Sequence, residues 1–428
     1  MATIEDHPLR YALSNELHAR PFPSLRSPCF AVYLAIKQPE NAAGRDRSAD
    51  VAHLTALLDR YGTAHPKPGA NHFFGDLGKY KLKWESHTEF VTYTIFGEGN
   101  WTPPFDPKRL DVFPDDWLAD APGVLVTSVL IRVEEKPDDA EMRQKVNDWF
   151  VPESVAVSHV LDRDAIIAGD FRIDEGGQSR FAVFTGPECS PRRTGRIVQR
   201  ICEIETYKQM SMLGLARARS IQGRLGEIGD ELSALVSGIG GSGGTSEARL
   251  QQLLNISAEL EKLNAQTSFR FGATGAYEAI VNQRIDVLRE ERWDGRQTFR
   301  EFMTRRYDPA MRTVKAMERQ LRDMAERAIR AGDLLRTKVD VDRSAQNQAL
   351  LESMDRRADL QLRLQETVEG LSVVAISYYA VSLLSYLTAP IAYALHIDKA
   401  VWTAGLVIPV VLVVWLAGRA VRRRLVRR

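Results

Sequence analysis

The chain has 428 residues, 44% hydrophobic and 26% charged, with a formal net charge of +1. Six of its 57 basic residues crowd into the last ten positions, RAVRRRLVRR, so the remainder, with all 56 acidic residues, is mildly acidic and offers no basic surface for nucleic acid. Cys29, Cys189 and Cys202 lack CxxC spacing, which fits reduced thiols in a cytosolic compartment and speaks against a cysteine-built zinc site.

The opening MATIEDHPLRYALSNEL lacks a basic region followed by an apolar core, so no signal peptide is expected. Residues 1–188 read as a mixed α/β domain. A helix is predicted over 8–18, and CFAVYLAI at 29–36 is a strand rich in β-branched and aromatic residues. Residues 48–61 place Val51, Leu54, Leu57 and Leu58 on one helical face. Paired strands follow at 80–84 and 90–96, then a strand at 124–133, a helix at 138–150 and strands at 155–160, 165–171 and 180–184. Short connections predict a mixed sheet with much antiparallel pairing.

At Ser190 the pattern changes. Ser190-Pro191 is a helix start, with a capping hydroxyl and a proline tolerated at the first helical position. Ile197, Ile201, Ile204, Tyr207, Ser211 and Gly214 begin a three-four seam that continues to Leu235. Residues 190–370 are therefore read as a long helical, coiled-coil-like stalk, reversed once by the glycine-rich stretch GIGGSGGTSE at 238–247. The second stretch carries Leu253, Ile256, Leu260 and Leu263, and an antiparallel pairing with the first is the simplest packing. Gly214, Gly223, Gly226 and Gly229 either permit close helix approach or mark a bend. A third stretch carries Met317, Leu321, Met324 and Ala328, and helix from 309 to 389 would be about 120 Å long.

Two apolar runs close the chain, at 371–389 and 400–418. Each has 19 residues, about 28 Å as helix, the thickness of bilayer hydrocarbon. They read as a C-terminal hairpin of two transmembrane helices followed by a basic tail at 419–428. The positive-inside bias keeps that tail cytoplasmic, and a short loop returns the chain to the side it left, so both termini are expected in the cytoplasm of a bacterial inner-membrane protein. Arg419, Arg422, Arg423, Arg424, Arg427 and Arg428 are expected at anionic lipid head groups, roughly 1 kcal/mol each. Ser372, Ala375, Tyr379, Ser382 and Tyr386 fall on one face of the first span, either packing against neighbouring helices or lining a watery path.

No phosphate loop, dinucleotide fingerprint, nucleophile elbow or HExxH motif occurs, and no catalytic residue is assigned. The nearest metal or acid–base candidate is ESHTE. On an extended strand Glu85, His87 and Glu89 would share one face and take a divalent cation; as a hairpin turn the same residues would be solvated polar groups. No other cofactor is evident. His7, Arg10, Glu16, His18 and Arg20 form a polar cluster near the start, open to a structural or a binding role.

HPLRYALSNELHARPF near the start, KWESHTEFVTYT at 83–94, ETYKQMSMLGLARAR at 205–219 and EGLSVVAISYY at 369–379 resemble the bacterial family of uncharacterised membrane-anchored proteins known as domain of unknown function 3422, over essentially the whole chain. The resemblance implies membrane anchorage and supplies no activity. The order of parts is also similar to CorA-type magnesium channels, whose first membrane helix ends in Gly-Met-Asn; here 385–391 reads SYLTAPI, without asparagine or glycine. The α+β reading thus carries three functions: a non-enzymatic scaffold or sensor on the membrane, a CorA-like cation channel or transporter, and a membrane-tethered enzyme. Its expected partners are the lipid bilayer and further copies of itself.

Overall fold

The computed structural model describes residues 4–16, 22–100, 102–240 and 245–425. His18 and Arg20 of the N-terminal cluster, the centre of the glycine-rich reversal, and Arg427 and Arg428 lie outside them. The chain divides into two compact units, one of Met1–Ser242 with Gln251–Ala331, the other of Gly243–Leu250 with Gly332–Arg428.

The first unit opens with α1 (Arg10–Glu16), β1 (Cys29–Lys37), α2 (Arg47–Arg60) and the strands β2 (His72–Leu77), β3 (Tyr80–Ser86) and β4 (Phe90–Glu98). Then come α3 (Asp115–Ala119), β5 (Val124–Glu135), α4 (Asp139–Trp149), β6 (Ala156–Val160), β7 (Ala165–Ile173) and β8 (Ser179–Thr185). Long helices follow, α5 (Pro191–Ser237) and α6 (Ser246–Asp286), then β9 (Glu291–Arg292), α7 (Phe299–Arg306), α8 (Asp308–Ala394) and α9 (Lys399–Leu425). The nine strands form one sheet in the order β2-β3-β4-β1-β5-β8-β7-β6-β9. Among the described residues only β5 and β8 pair parallel; the other ladders are antiparallel, as the short connections predicted.

β1 is buried at every position because it is covered on both faces. Phe30, Val32, Leu34 and Ile36 join a core with Leu54, Leu57 and Leu58 of α2, Trp117 of α3 and Met142 and Val146 of α4. On the opposite face Tyr33 meets α5, where the Thr206 hydroxyl donates to the Tyr33 oxygen at 2.7 Å. A strand buried on both sides reads as a continuous apolar run rather than an alternation. Phe171 of β7, at φ 56, lies in a bulge that stacks its ring on Phe302 of α7 at 4.4 Å.

Ser190 caps α5 by accepting from the Arg193 N–H, with Pro191 at the first position. The seam residues from Ile197 to Leu235 are buried except Tyr207, which is half-buried. Arg224 reaches Glu259 through Nε and Nη2 at 2.6 Å each, Arg217 reaches Gln266 and Arg284 reaches Glu203, so α6 runs antiparallel to α5. The glycines divide by environment. A Cβ on Gly214 would collide with the Thr274 side chain of α6, and one on Gly229 with Met324 of α8; Gly223 and Gly226 face open space. Gly214 therefore permits close approach, whereas at Gly229 the movable end of Met324 fills the space.

In the second unit α9 folds back along the end of α8. Trp402 donates its indole N–H to Thr388 Oγ1 at 2.9 Å, and Ser385 reaches Thr403 at 3.4 Å. His396, at φ 53, lies in the turn, and Asp398 accepts from the Ala400 N–H to start α9. Both helices are long and apolar enough to cross a membrane, and only 6% of each apolar stretch is buried.

The glycine assignment makes opposite predictions for one substitution. Gly226→Ala should stabilise the purified protein by about 0.5–1 kcal/mol through helix propensity. Gly214→Ala should destabilise it by about 1–3 kcal/mol through overpacking against Thr274. Thermal unfolding in detergent measures both, and equal melting temperatures for the two variants would refute the close-approach account.

Candidate functional site

The sequence singled out Glu85, His87 and Glu89, and the structure separates them. β3 ends at Ser86 and β4 begins at Phe90, so the five residues turn a corner, closed by the His87 N–H donating to the Phe90 carbonyl at 2.8 Å. They do not share one strand face, which corrects the extended-strand reading. Glu85 stays on β3 beside Lys83, whose ammonium is 3.2 Å from its carboxylate. Glu89 reaches the other way, accepting from the Tyr277 hydroxyl at 2.7 Å and pairing with Arg270, both on α6. His87 stacks on Phe90 at 4.4 Å and meets Tyr207 of α5 edge-on. A cation here would have to displace Lys83 and Arg270 from the two carboxylates. Among the described residues no group of three or more His, Cys, Asp or Glu side chains is placed to hold a metal ion.

Arg45 holds the corner from beneath, its side chain only 2% exposed. It donates to the carbonyls of His87 at 2.7 Å, Thr88 at 2.5 Å and Phe90 at 3.1 Å, to Ser86 Oγ at 3.1 Å and to Asp50 at 2.9 Å. Burial pushes the Asp50 carboxyl up while Arg45 opposes it. The planar fork matches several oxygens at fixed angles, which a lysine ammonium does not.

Beside the corner, between the sheet and α5, lies a cavity of about 30 Å³ bordered by Tyr33, Lys83, Glu85, His87, Cys202 and Glu203. That volume admits a water molecule or two, far less than the several hundred Å³ typical of a substrate pocket. Lys83 crosses it to donate to Gln199 at 2.8 Å, and Gln199 donates to Glu203 at 2.7 Å. Burial pushes the Cys202 thiol far up, and burial with Glu98 pushes Cys29 up to about 12, so both are poor nucleophiles. The arrangement does the work of a clasp: Lys83 joins β3 to α5 through Gln199, and Glu89 joins the corner to α6 through Arg270.

Two further buried polar sites escaped the sequence reading. Glu205, fully buried on α5, takes Lys208 at 2.7 Å and the Ser179 hydroxyl at 3.1 Å. His53 stacks on Trp117 at 3.9 Å, with Nε2 3.0 Å from the Trp117 carbonyl and Nδ1 2.8 Å from the Tyr93 hydroxyl. A carbonyl only accepts, so Nε2 carries the proton and Nδ1 accepts from Tyr93. Leucine-rich α2 contains His53 at a core position, and a polar residue beside Leu54 and Leu57 was the available signal.

The stripe proposed on the first apolar run does not face α9. Ser372, Ala375, Tyr379 and Tyr386 are exposed and Ser382 is half-buried, while Ser377, Thr388 and Ala392 lie against α9. Arg419 sits 5.0 Å over the Trp415 ring, and Arg422, Arg423 and Arg424 lie on α9.

Arg45→Met should cost about 3–5 kcal/mol, because it leaves Asp50 and the corner carbonyls buried without their donor. Arg45→Lys should restore only part of that loss in a thermal melt, and full rescue would contradict the role given to the fork. Burial lowers the His53 pKa, opposed by the Trp117 carbonyl. The unfolded chain then takes up the proton first, so this contribution is complete above about pH 6.5 and is lost as the pH falls through the folded value. His159 is lowered by burial too and acts in the same direction, so the readout is a difference. His53→Gln should flatten the melting-temperature profile between pH 7 and pH 5, and superimposable profiles would clear His53 of the effect.

The family described as protein of unknown function, DUF3422, matches residues 5–425. No curated protein and no solved structure matches the chain. Because that match takes in the sheet, the long helices and both apolar C-terminal segments, the chain belongs to the DUF3422 family.

Proposed function

We propose that the protein is a bacterial inner-membrane scaffold or sensor, with a cytoplasmic head carried on a helical, coiled-coil-like stalk and anchored by a C-terminal transmembrane hairpin. The observation that carries this reading is the exposure of the apolar helices. The core helix of a water-soluble protein hides its apolar surface, whereas only 6% of each apolar stretch is buried here. Bilayer hydrocarbon supplies the missing cover. The ends agree with that placement. Trp415 and Arg419 mark one boundary, and Tyr393, Lys399 and Trp402 the other, in the manner of interfacial aromatic and basic anchors. The arginine tail supports cytoplasmic termini and contact with anionic head groups. A non-catalytic role for the head is supported by its charges, which are spent on one another, and by a cavity of water size.

A reporter that fluoresces only in the cytoplasm should be bright when fused after Arg428, and Asp398→Cys should react with an impermeant maleimide from outside. Labelling of the tail from outside would reverse the topology, and release of the protein by carbonate would remove the anchor. The channel reading draws on the order of parts and on Tyr379, Ser382 and Tyr386. In reconstituted vesicles a scaffold should leave magnesium entry at the level of empty vesicles. Entry that Ser382→Leu abolishes would establish the channel instead.

A further inference from the structure

The later part of α8 carries one line of residues through two chemical settings. At 100° per residue, Leu350, Met354, Leu364, Val368 and Leu371 fall within roughly 60° of a common line. Ala375, Tyr379, Ser382, Tyr386, Ala389 and Tyr393 continue the same line through the apolar run. Before the run, the opposite side of the helix holds Glu352, Asp355, Arg356, Asp359, Arg363 and Glu366. Arg357 is the charged residue on the line itself, and its long stem allows the head to reach water while the carbons lie along the seam.

Most of the line is uncovered within the chain, with Ser382 and Ala389 half-buried. Leu350, Met354, Leu364, Val368, Leu371 and the three tyrosines are each more than half exposed. α9 lies on the other side of the helix, where Ser377 and Ala392 are buried and Thr388 accepts from Trp402. Water disfavours the apolar half of the line, and hydrocarbon disfavours the hydroxyl-bearing half.

Continuity identifies the occupant. A partner that covers the whole line must present apolar side chains at the water level, then small and hydroxyl-bearing ones within the membrane, in the same order and direction. We propose that the occupant is a second copy of this chain, packed parallel and in register along α8. A parallel copy meets every condition by symmetry, and the membrane topology excludes the antiparallel arrangement. Ala375, Ser382 and Ala389 recur every seven residues, as do Tyr379, Tyr386 and Tyr393, so an in-register pair stacks layers of small residues alternately with layers of rings. The membrane half of this seam rests on the anchor proposed above.

Cysteine cross-linking in native membranes tests it with the full chain. Leu364→Cys and Ser382→Cys lie on the line. Asp359→Cys and Leu387→Cys lie off it, each about 7.5 Å along the helix from its counterpart, and both positions are exposed. Mild oxidation should give several-fold more disulfide-linked dimer for the first pair than for the second, above the baseline of the unmodified protein with its three native cysteines. Light scattering of the unmodified protein in detergent should give the mass of at least two chains. Equal cross-linking at all four positions, none at any, or a monomeric mass overturns the seam. Carbonate extraction separates the two ideas: protein kept in the membrane without line-specific cross-links leaves the anchor standing and removes the seam, whereas protein released by carbonate removes both.

Discussion

Coverage of the sheet by α5 is the constraint from which most of the head follows. A sheet with one wet face tolerates charge on alternate residues, but β1 is buried throughout, β4 nearly so, and β3 at Leu82, Lys83, Trp84 and Ser86. A charge on the second face must therefore arrive with its counter-charge, since a lone buried ion is far more costly than a matched pair. Lys83 comes with Glu85 and Gln199, Lys208 with Glu205, and Tyr33 with Thr206. The same close cover leaves only about 30 Å³ between the layers and raises the thiol of Cys202.

The corner between β3 and β4 applies the rule at the rim. The carbonyls of His87, Thr88 and Phe90 turn toward Arg45 there, and one guanidinium collects them. Glu89 then projects from a corner already fixed, which lets it meet Arg270 and Tyr277 on α6. The clasp joins sheet to helices through a residue whose own backbone is immobilised from the other side.

Local pattern made much of this legible. The β-branched run at Cys29, the three-four spacing after Ser190 and the capping pair Ser190-Pro191 each report a nearest-neighbour preference, and the elements stand where those preferences put them. β2 was missed because HFFGDL combines glycine and aspartate with only two rings, a poor strand signal that edge pairing with β3 overrides. The site was read less well, for a different reason. Whether Glu89 binds a cation or an arginine depends on Arg270, 181 residues away, and nothing in ESHTE encodes that distance. The sequence likewise marks where α5 begins without saying that its first turns cover the sheet, which puts the helix and the strands in one compact unit.

α8 meets a different demand along each part of its length, and its two sides in the apolar run are built from different materials. Against α9 it offers short side chains, so the helices approach closely and polar atoms are satisfied internally. Thr388 donates to the Leu384 carbonyl at 2.6 Å and accepts from Trp402, using its hydroxyl in both directions. The other side carries tyrosines and, within the helix, Pro390. Proline has no N–H, so the Tyr386 carbonyl four residues earlier loses its helical donor. That carbonyl belongs to a residue on the uncovered line. In hydrocarbon a backbone oxygen left this way needs a donor from a neighbour, and the tyrosine hydroxyls of an adjacent helix are donors of the right reach. The proline thus leaves an acceptor, and the tyrosines carry donors, on a face of the helix that α9 does not cover.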